Sequence, residues 1–485
     1  MVRVGSARIA RSMGLLTLGV AAACGEGSSG PSLVTKVELL NRSVTPVLVK
    51  GLPAGVTATS LFSSDDTLPQ SPSYIFGGSA DGSGLLKNTD GTYTLLVNNE
   101  DNFSVSRVTL DETMRPLKGD YVLNSTGGKW RLCSATLATV EEHGFGPLFL
   151  TTGESGIDSQ THGVNPFGAA NTSQILTAFG KWSAENAVPL PKVAFPGKTI
   201  VILGDDDSGT NGGQVVMYVS NTVGDLTTGK TYVLARTDNN IRERDMVVGG
   251  NYPIEFRQIE NAATAATGAE IEAVGKTKSM MQFGRVEDLD YRKGSAANNR
   301  EIYFNVTGQP TTGVNADFSR TKYGRVYRLT LDAADPLKGT LSVLLDGDDK
   351  SGPMKDMQNV DNIFVGTNYF YTGEDPNGYG DETHDARVYQ YNLSTKEVKV
   401  VMEVDHRRTT ADAAKFNGAT TSKFGDWEFG AIIDISSTIG IEDTFLVSLQ
   451  PHTWRGTRYR GVDGGTLRPT EDQASQMIIV KGLPR

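Results

Sequence analysis

Short-period alternation dominates this chain. Residues 93–97, 199–203, 215–219, 301–305, 325–329, 387–391 and 444–448 are each rich in β-branched or aromatic side chains. Glycine, aspartate, asparagine or proline lies close by to end each run. The pattern predicts strand, turn and strand almost from end to end. Two stretches break it. Ile175, Phe179 and Trp182 recur at spacings of four and three, as one stripe of a helix does. Residues 258–274 are rich in alanine and glutamate, with Gly275 placed as a stop. Both are expected as short helical insertions packed outside the strands.

An internal repeat points to blades. Arg107-Val108-Thr109-Leu110-Asp111 leads to Pro116-Leu117-Lys118-Gly119, and Arg328-Leu329-Thr330-Leu331-Asp332 leads to Pro336-Leu337-Lys338-Gly339. A strand, a turn and a returning strand are thus written twice, as radial repetition requires. The 55 glycines suit many tight turns. No boundary in the pattern divides residues 36–485, which are read as one β-propeller domain.

The first residues read as an address. Arg3, Arg8 and Arg11 precede an apolar run from Met13 to Ala23 that is too short to span a bilayer. Ala21-Ala22-Ala23-Cys24 resembles the end of a bacterial lipoprotein signal, so residues 1–23 are expected to be removed and Cys24 to carry lipid. Residues 24–35 form a Gly/Ser tether. The chain is therefore expected at the cell envelope, held to the membrane by that anchor alone, as a monomer. Loss of the three arginines takes the net charge from −10 to about −13, which argues against nucleic acid as a partner. Cys133 is then the remaining thiol, and burial is its expected state.

Acidic clusters supply the candidate chemistry. Asn98-Asn99-Glu100-Asp101, Gly153-Glu154-Ser155, Gly204-Asp205-Asp206-Asp207, Arg285-Val286-Glu287-Asp288, Val360-Asp361-Asn362 and Trp427-Glu428-Phe429-Gly430 mostly flank strand-like runs. Each alone serves as well to form a turn. Brought together by a ring, their oxygens need a cation, and Ca²⁺ takes six to eight such ligands. The proposed metal ligands are Glu100, Glu154, Asp205, Asp206, Glu287, Asp361 and Glu428. Arg285 is the candidate clamp for a phosphate oxygen, or else an ion-pair partner of the acids. His452 is the candidate proton donor to a leaving alkoxide. A further loop, residues 374–385, alternates acids with glycines in a spacing able to wrap Ca²⁺, without meeting the EF-hand pattern.

The order of these motifs resembles the PhoX-type alkaline phosphatase family. Gly77-Gly78, Asp81-Gly82, Leu96-Val97-Asn98-Asn99-Glu100, Leu203-Gly204-Asp205-Asp206, Phe283-Gly284-Arg285-Val286-Glu287-Asp288, Val360-Asp361-Asn362, Glu428 and Leu449-Gln450-Pro451-His452 carry the likeness over residues 72–455. It implies a six-bladed β-propeller whose axial calcium and iron hydrolyse phosphate monoesters outside the cytoplasm. The chain departs from the family where asparagine-histidine-glutamate reads Asn98-Asn99-Glu100. It departs again where the family's cysteine stretch aligns with residues 149–154, which hold none. Cys133 lies upstream of that slot, so the expectation is calcium, with iron left without its soft ligand. The expected function is a metal-dependent phosphatase-like hydrolase acting on a small phosphorylated substrate. The alternatives are a non-catalytic binding propeller with structural calcium and a calcium-dependent lactonase-like enzyme.

Overall fold

The computed structural model describes residues 36–417 and 423–485. Cys24, expected to carry lipid, and the expected signal and tether lie outside the described residues. The remainder is all-β and propeller-like, with a few short helices. Each run anticipated as a strand lies in one, as in Tyr93–Asn99, Thr199–Asp205, Arg387–Asn392 and Thr444–Gln450. Among the described residues no helix is long and apolar enough to cross a membrane.

The strands form five antiparallel sheets, where six separate blades were implied. Three have four strands and one has five, while the other is a sheet of nine. In the nine-stranded sheet, Asn251–Gln258 pairs on one side with Lys230–Arg236 and on the other with Lys338–Asp346, welding two four-stranded units together. Hydrophobic side chains lie between neighbouring sheets. Leu95 and Val97 of one sheet meet Leu446 and Ile479 of the next, for example. Each such side chain, fully buried, contributes about 1.5–3 kcal/mol.

Six inner strands position the site: Ala80–Lys87, Leu132–Ala138, Ala184–Pro189, Val286–Tyr291, Val360–Val365 and Glu428–Asp434. Each lies against the next, and the last returns to the first, so they close a ring. The early strand Thr57–Ser63 pairs with the last strand, Gln476–Lys481, so one sheet takes strands from both ends of the described residues. The repeated motif falls on two hairpins, Ser104–Leu110 with Pro116–Leu123 and Arg325–Leu331 with Lys338–Asp346, whose registers differ.

The helical expectations shift. The stripe Ile175, Phe179 and Trp182 runs through a strand, Gln174–Ile175, and a 3-10 turn, Thr177–Phe179. Phe179 and Trp182 are nonetheless buried, beside Ile271 and Met280, so tertiary packing and not helical period sets their spacing. The alanine-rich stretch becomes helical only over Gly268–Thr277, with Thr267 as its N-cap. Gly275 lies inside that helix. A Cβ there would stand 2.2 Å from the Met280 sulfur, so packing against Met280, not helix termination, requires the glycine.

Candidate metal and active site

Every inner strand carries a register shift against its sheet neighbour: between Ala80 and Ser83, Leu132 and Ala135, Ala184 and Asn186, Val286 and Leu289, Val360 and Ile363, and Phe429 and Ile432. A bulge re-aims the residues it contains. The first residue of each is Asp81, Cys133, Glu185, Glu287, Asp361 or Gly430. At the sixth position a Cβ would stand 2.6 Å from the Ala80 carbonyl oxygen, so only glycine fits.

A second tier lies at the end of each neighbouring strand: Glu100, Glu154, Asp206, Thr307 and Asp375 one residue beyond it, and Gln450 as its last residue. Its backbone is held the same way in five of the six sheet units. The N–H of Glu100, Glu154, Asp206, Thr307 and Asp375 donates to the carbonyl of Ser79, Arg131, Ser183, Arg285 and Asn359, respectively. Those acceptors, with Glu428, form a third tier.

The tiers bring most of the anticipated ligands together. Ligand atoms of Glu100, Cys133 and Glu154 lie within 4.8 Å of one another, as do those of Asp81, Cys133 and Glu185, and those of Asp361, Asp375 and Glu428. Cys133, expected to lie outside the metal slot, belongs to two of these groups, with its Sγ 2.6 Å from Glu154 Oε2. Asp205 is the exception among the anticipated ligands. It is buried one residue before Asp206, and its carboxyl is pushed well up by burial and then by Asp207 and Asp206. Because side chains alternate along a strand, Asp206 faces the axis and Asp205 faces away.

Arg285 stands among the acids with φ of 72°. Its Nε donates to Asp206 Oδ1 at 2.6 Å and its Nη2 to Asp206 Oδ2 at 3.1 Å. The same Nη2 is 3.1 Å from Glu287 Oε1, and Nη1 donates to Asn377 Oδ1 at 2.8 Å. Arg131 takes the equivalent third-tier position two sheet units away and meets Glu100 Oε1 at 3.2 Å. His452 spans Glu428 (Nε2–Oε1 3.0 Å) and Gln473 (Nδ1–Oε1 3.0 Å).

The two guanidiniums cannot neutralise so many carboxylates. Burial first, and then Asp206, pushes Glu154 well above the usual carboxylate range. Burial followed by Asp375 does the same to Asp361 and to Glu428. Burial also works against Asp206, yet Arg285 and hydrogen bonds from Glu154 and Glu287 hold it below its ordinary value. Burial, Glu100 and Glu154 together push the Cys133 thiol far up. Asp361 Oδ1 is buried without a hydrogen-bond partner among the described residues. These are the marks of a donor set that fits cations: hard oxygens throughout and one soft sulfur.

Further along the same inner strands opens a cavity of about 510 Å³. Its buried acids are already satisfied. Asp288 accepts from Asn186 Nδ2 at 2.7 Å and Ile363 N at 3.0 Å, and Asp290 from Lys293 Nζ at 2.5 Å. The carboxylates without balancing charge therefore lie in the tiers and not in this cavity. Sequence reading did not place Cys133, Glu185 or Arg131 in the site; it quoted Asp81 only within a motif and Asp375 only within the separate acidic loop 374–385. The even spacing of Asp81, Cys133 and Glu185 along the chain was the available signal.

No family model and no curated protein matches the chain. Among solved structures it is similar to PhoX of Pseudomonas fluorescens in complex with vanadate, a transition state analogue. The two are 14% identical with a TM-score of 0.61, over 91% of this chain and 98% of that one. It is more distantly similar to an α-L-arabinofuranosidase of Fusarium graminearum in complex with an iminosugar inhibitor: 11% identity, TM-score 0.39, 84% of this chain and 96% of that one. The first likeness shows a shared propeller fold; the second is too slight to bear on this chain.

Proposed function

We propose that this chain is a cation-dependent hydrolase of phosphate monoesters, a divergent relative of PhoX-type phosphatases anchored to the cell envelope through Cys24. The nine-stranded sheet counts as two blades joined by Asn251–Gln258, so five sheets make a six-bladed propeller around six inner strands. One observation carries the reading. Carboxylates from five inner-strand units and the thiol of Cys133 meet at one end of the ring, with too little protein positive charge to balance them.

Asp361, Asp375 and Glu428 would hold a hard cation such as Ca²⁺. Cys133, with Glu100, Glu154, Asp81 and Glu185, would suit a softer one such as iron. Bound cations supply Lewis acidity and lower the pKa of a coordinated water. The protein's own groups do the rest. Arg285 presents Nη1 to a phosphoryl oxygen while Asp206 and Glu287 fix the plane of its fork. His452, set by Glu428 and Gln473, stands ready to pass a proton to the leaving alkoxide. The burial of Asp206, Glu287 and Asp361 keeps bulk water away from these groups. Hydrolysis of p-nitrophenyl phosphate by the calcium- and iron-loaded protein tests the reading. Folded, metal-loaded protein that cleaves no phosphomonoester would sink it.

A binding propeller with structural calcium is the second reading. It is favoured by the close engagement of Arg285 with Asp206 and Asn377, which leaves little of the clamp open. Full calcium occupancy without turnover would select it.

A further inference from the structure

Arg285 has five N–H donors, and four are taken. Nε and one Nη2 hydrogen go to Asp206, the other Nη2 hydrogen meets Glu287, and one Nη1 hydrogen goes to the Asn377 amide oxygen. Three of these partners are carboxylate oxygens on the ring itself. Asn377 is different: it is a neutral acceptor, and it arrives on the loop that joins Tyr369–Glu374 to Arg387–Asn392. A neutral amide oxygen therefore fills one of the two guanidinium hydrogens that the ring acids leave available.

The loop is built to yield. Gly378 and Gly380 have φ of 65° and 85°, and a Cβ on either would meet nothing within 4 Å. Both glycines and Asp381 are exposed. On the near side, Asn377 Nδ2 also reaches Thr307 Oγ1 at 3.2 Å. On the far side, Asp381 Oδ2 is held by Lys322 Nζ at 2.7 Å and the Tyr323 hydroxyl at 2.5 Å. Between these tethers sits Tyr379, whose buried hydroxyl has no partner among the described residues. The loop is thus tethered to the ring through Asn377 and to Lys322 and Tyr323 through Asp381, and between them the Tyr379 ring lies against Tyr323 and Lys322 while its hydroxyl stays unsatisfied.

We propose that Asn377 is a plug: its amide oxygen occupies the place a phosphoryl oxygen takes on Arg285, and an incoming phosphate displaces it and frees residues 376–380 to move. Charge decides the exchange. A phosphate dianion adds to the hydrogen bond a direct attraction between opposite charges, which a neutral amide oxygen cannot offer the guanidinium. The site therefore meets substrate in a self-occupied state. This rests on the reading of Arg285 as a phosphate clamp.

Inorganic phosphate binding to the calcium-loaded full-length protein, followed by calorimetry, tests both claims separately. Wild type should bind phosphate, and R285A should lose that binding. N377A should bind about three- to tenfold more tightly, because one competing hydrogen bond is gone. N377D, whose carboxylate holds Arg285 harder, should bind more weakly. In wild type, amide exchange at residues 377–380 should speed up when phosphate saturates the site. Phosphate binding that depends on Arg285, with N377A unchanged or weaker, would overturn the plug and leave the clamp standing. No phosphate binding by wild type would overturn both.

Discussion

Asn98 and Asn305 make the same bridge in two different sheets. Each Nδ2 donates to the carbonyl of the bulged residue on the next inner strand, Cys133 O and Asp361 O, at 2.5 Å in both cases. Each also reaches a threonine on the strand behind, Thr151 Oγ1 at 2.9 Å and Thr372 Oγ1 at 2.8 Å. A buried amide thus fixes the backbone that aims a ligand at the axis, once for the thiol and once for the carboxylate.

Truncating either asparagine should therefore loosen one half of the site. N98A and N305A each leave a buried carbonyl and hydroxyl unpaired, at a cost of about 1–3 kcal/mol. The two losses should add, because the residues share no partner. Urea unfolding of the single and double variants checks this. N305A should also weaken calcium binding at Asp361, and N98A should not.

Cys133 sorts the cations. In C133S the thiol is replaced by a hard hydroxyl, so the protein should keep calcium and lose iron, along with any thiolate-to-iron absorption band in the visible range. Elemental analysis of protein purified from iron-supplemented medium reads the outcome. Unchanged iron in C133S would remove the cysteine from the metal set.

Adjacent aspartates should behave differently. D206N removes the charge and one oxygen of an axial carboxylate that Arg285 and Glu154 both contact, and metal affinity should fall by roughly tenfold or more. D205N changes a carboxyl that faces away and should leave metal affinity within about twofold. Calcium titration of the two variants, side by side, tests the assignment of faces.

Acid should destabilise the protein through His162. Its Nε2 lies 2.9 Å from Gly128 O and its Nδ1 2.8 Å from Ser173 Oγ, and burial lowers its pKa from 6.5 to about 4. The folded state resists protonation while the unfolded chain accepts it. The stability at stake is fully present above pH 6.5 and is lost as pH falls towards 4. The loss is roughly 3 kcal/mol. H162Q should lose correspondingly less stability than wild type between pH 7 and pH 4 when both are unfolded in urea.

The strands were legible because alternation and β-branched content are local properties, as in Thr199–Asp205. The acids at strand ends were legible for the same reason: Glu100, Glu154, Asp206, Glu287, Asp361 and Glu428 sit beside readable strands. Faces were harder. Asp205 and Asp206 differ by one position, and only the contact of Asp206 with Arg285 shows which of them turns inward. The bulges were invisible, since an extra residue in one strand exists only relative to its partner. That hid Asp81 and Glu185, and it made Cys133 read as a lone buried thiol. The helix beginning at Gly268 shows the same limit, because the contact of Met280 with Gly275 is visible only once the chain is folded.

Counting metal on the purified, folded protein by mass spectrometry, for wild type and for D361N, tests the axial site most directly. The account predicts at least one tightly held calcium per chain in wild type, released by chelator with a fall in melting temperature and reduced in D361N. Wild-type protein that stays folded in millimolar calcium yet holds no metal, and whose melting temperature ignores chelator, would contradict it.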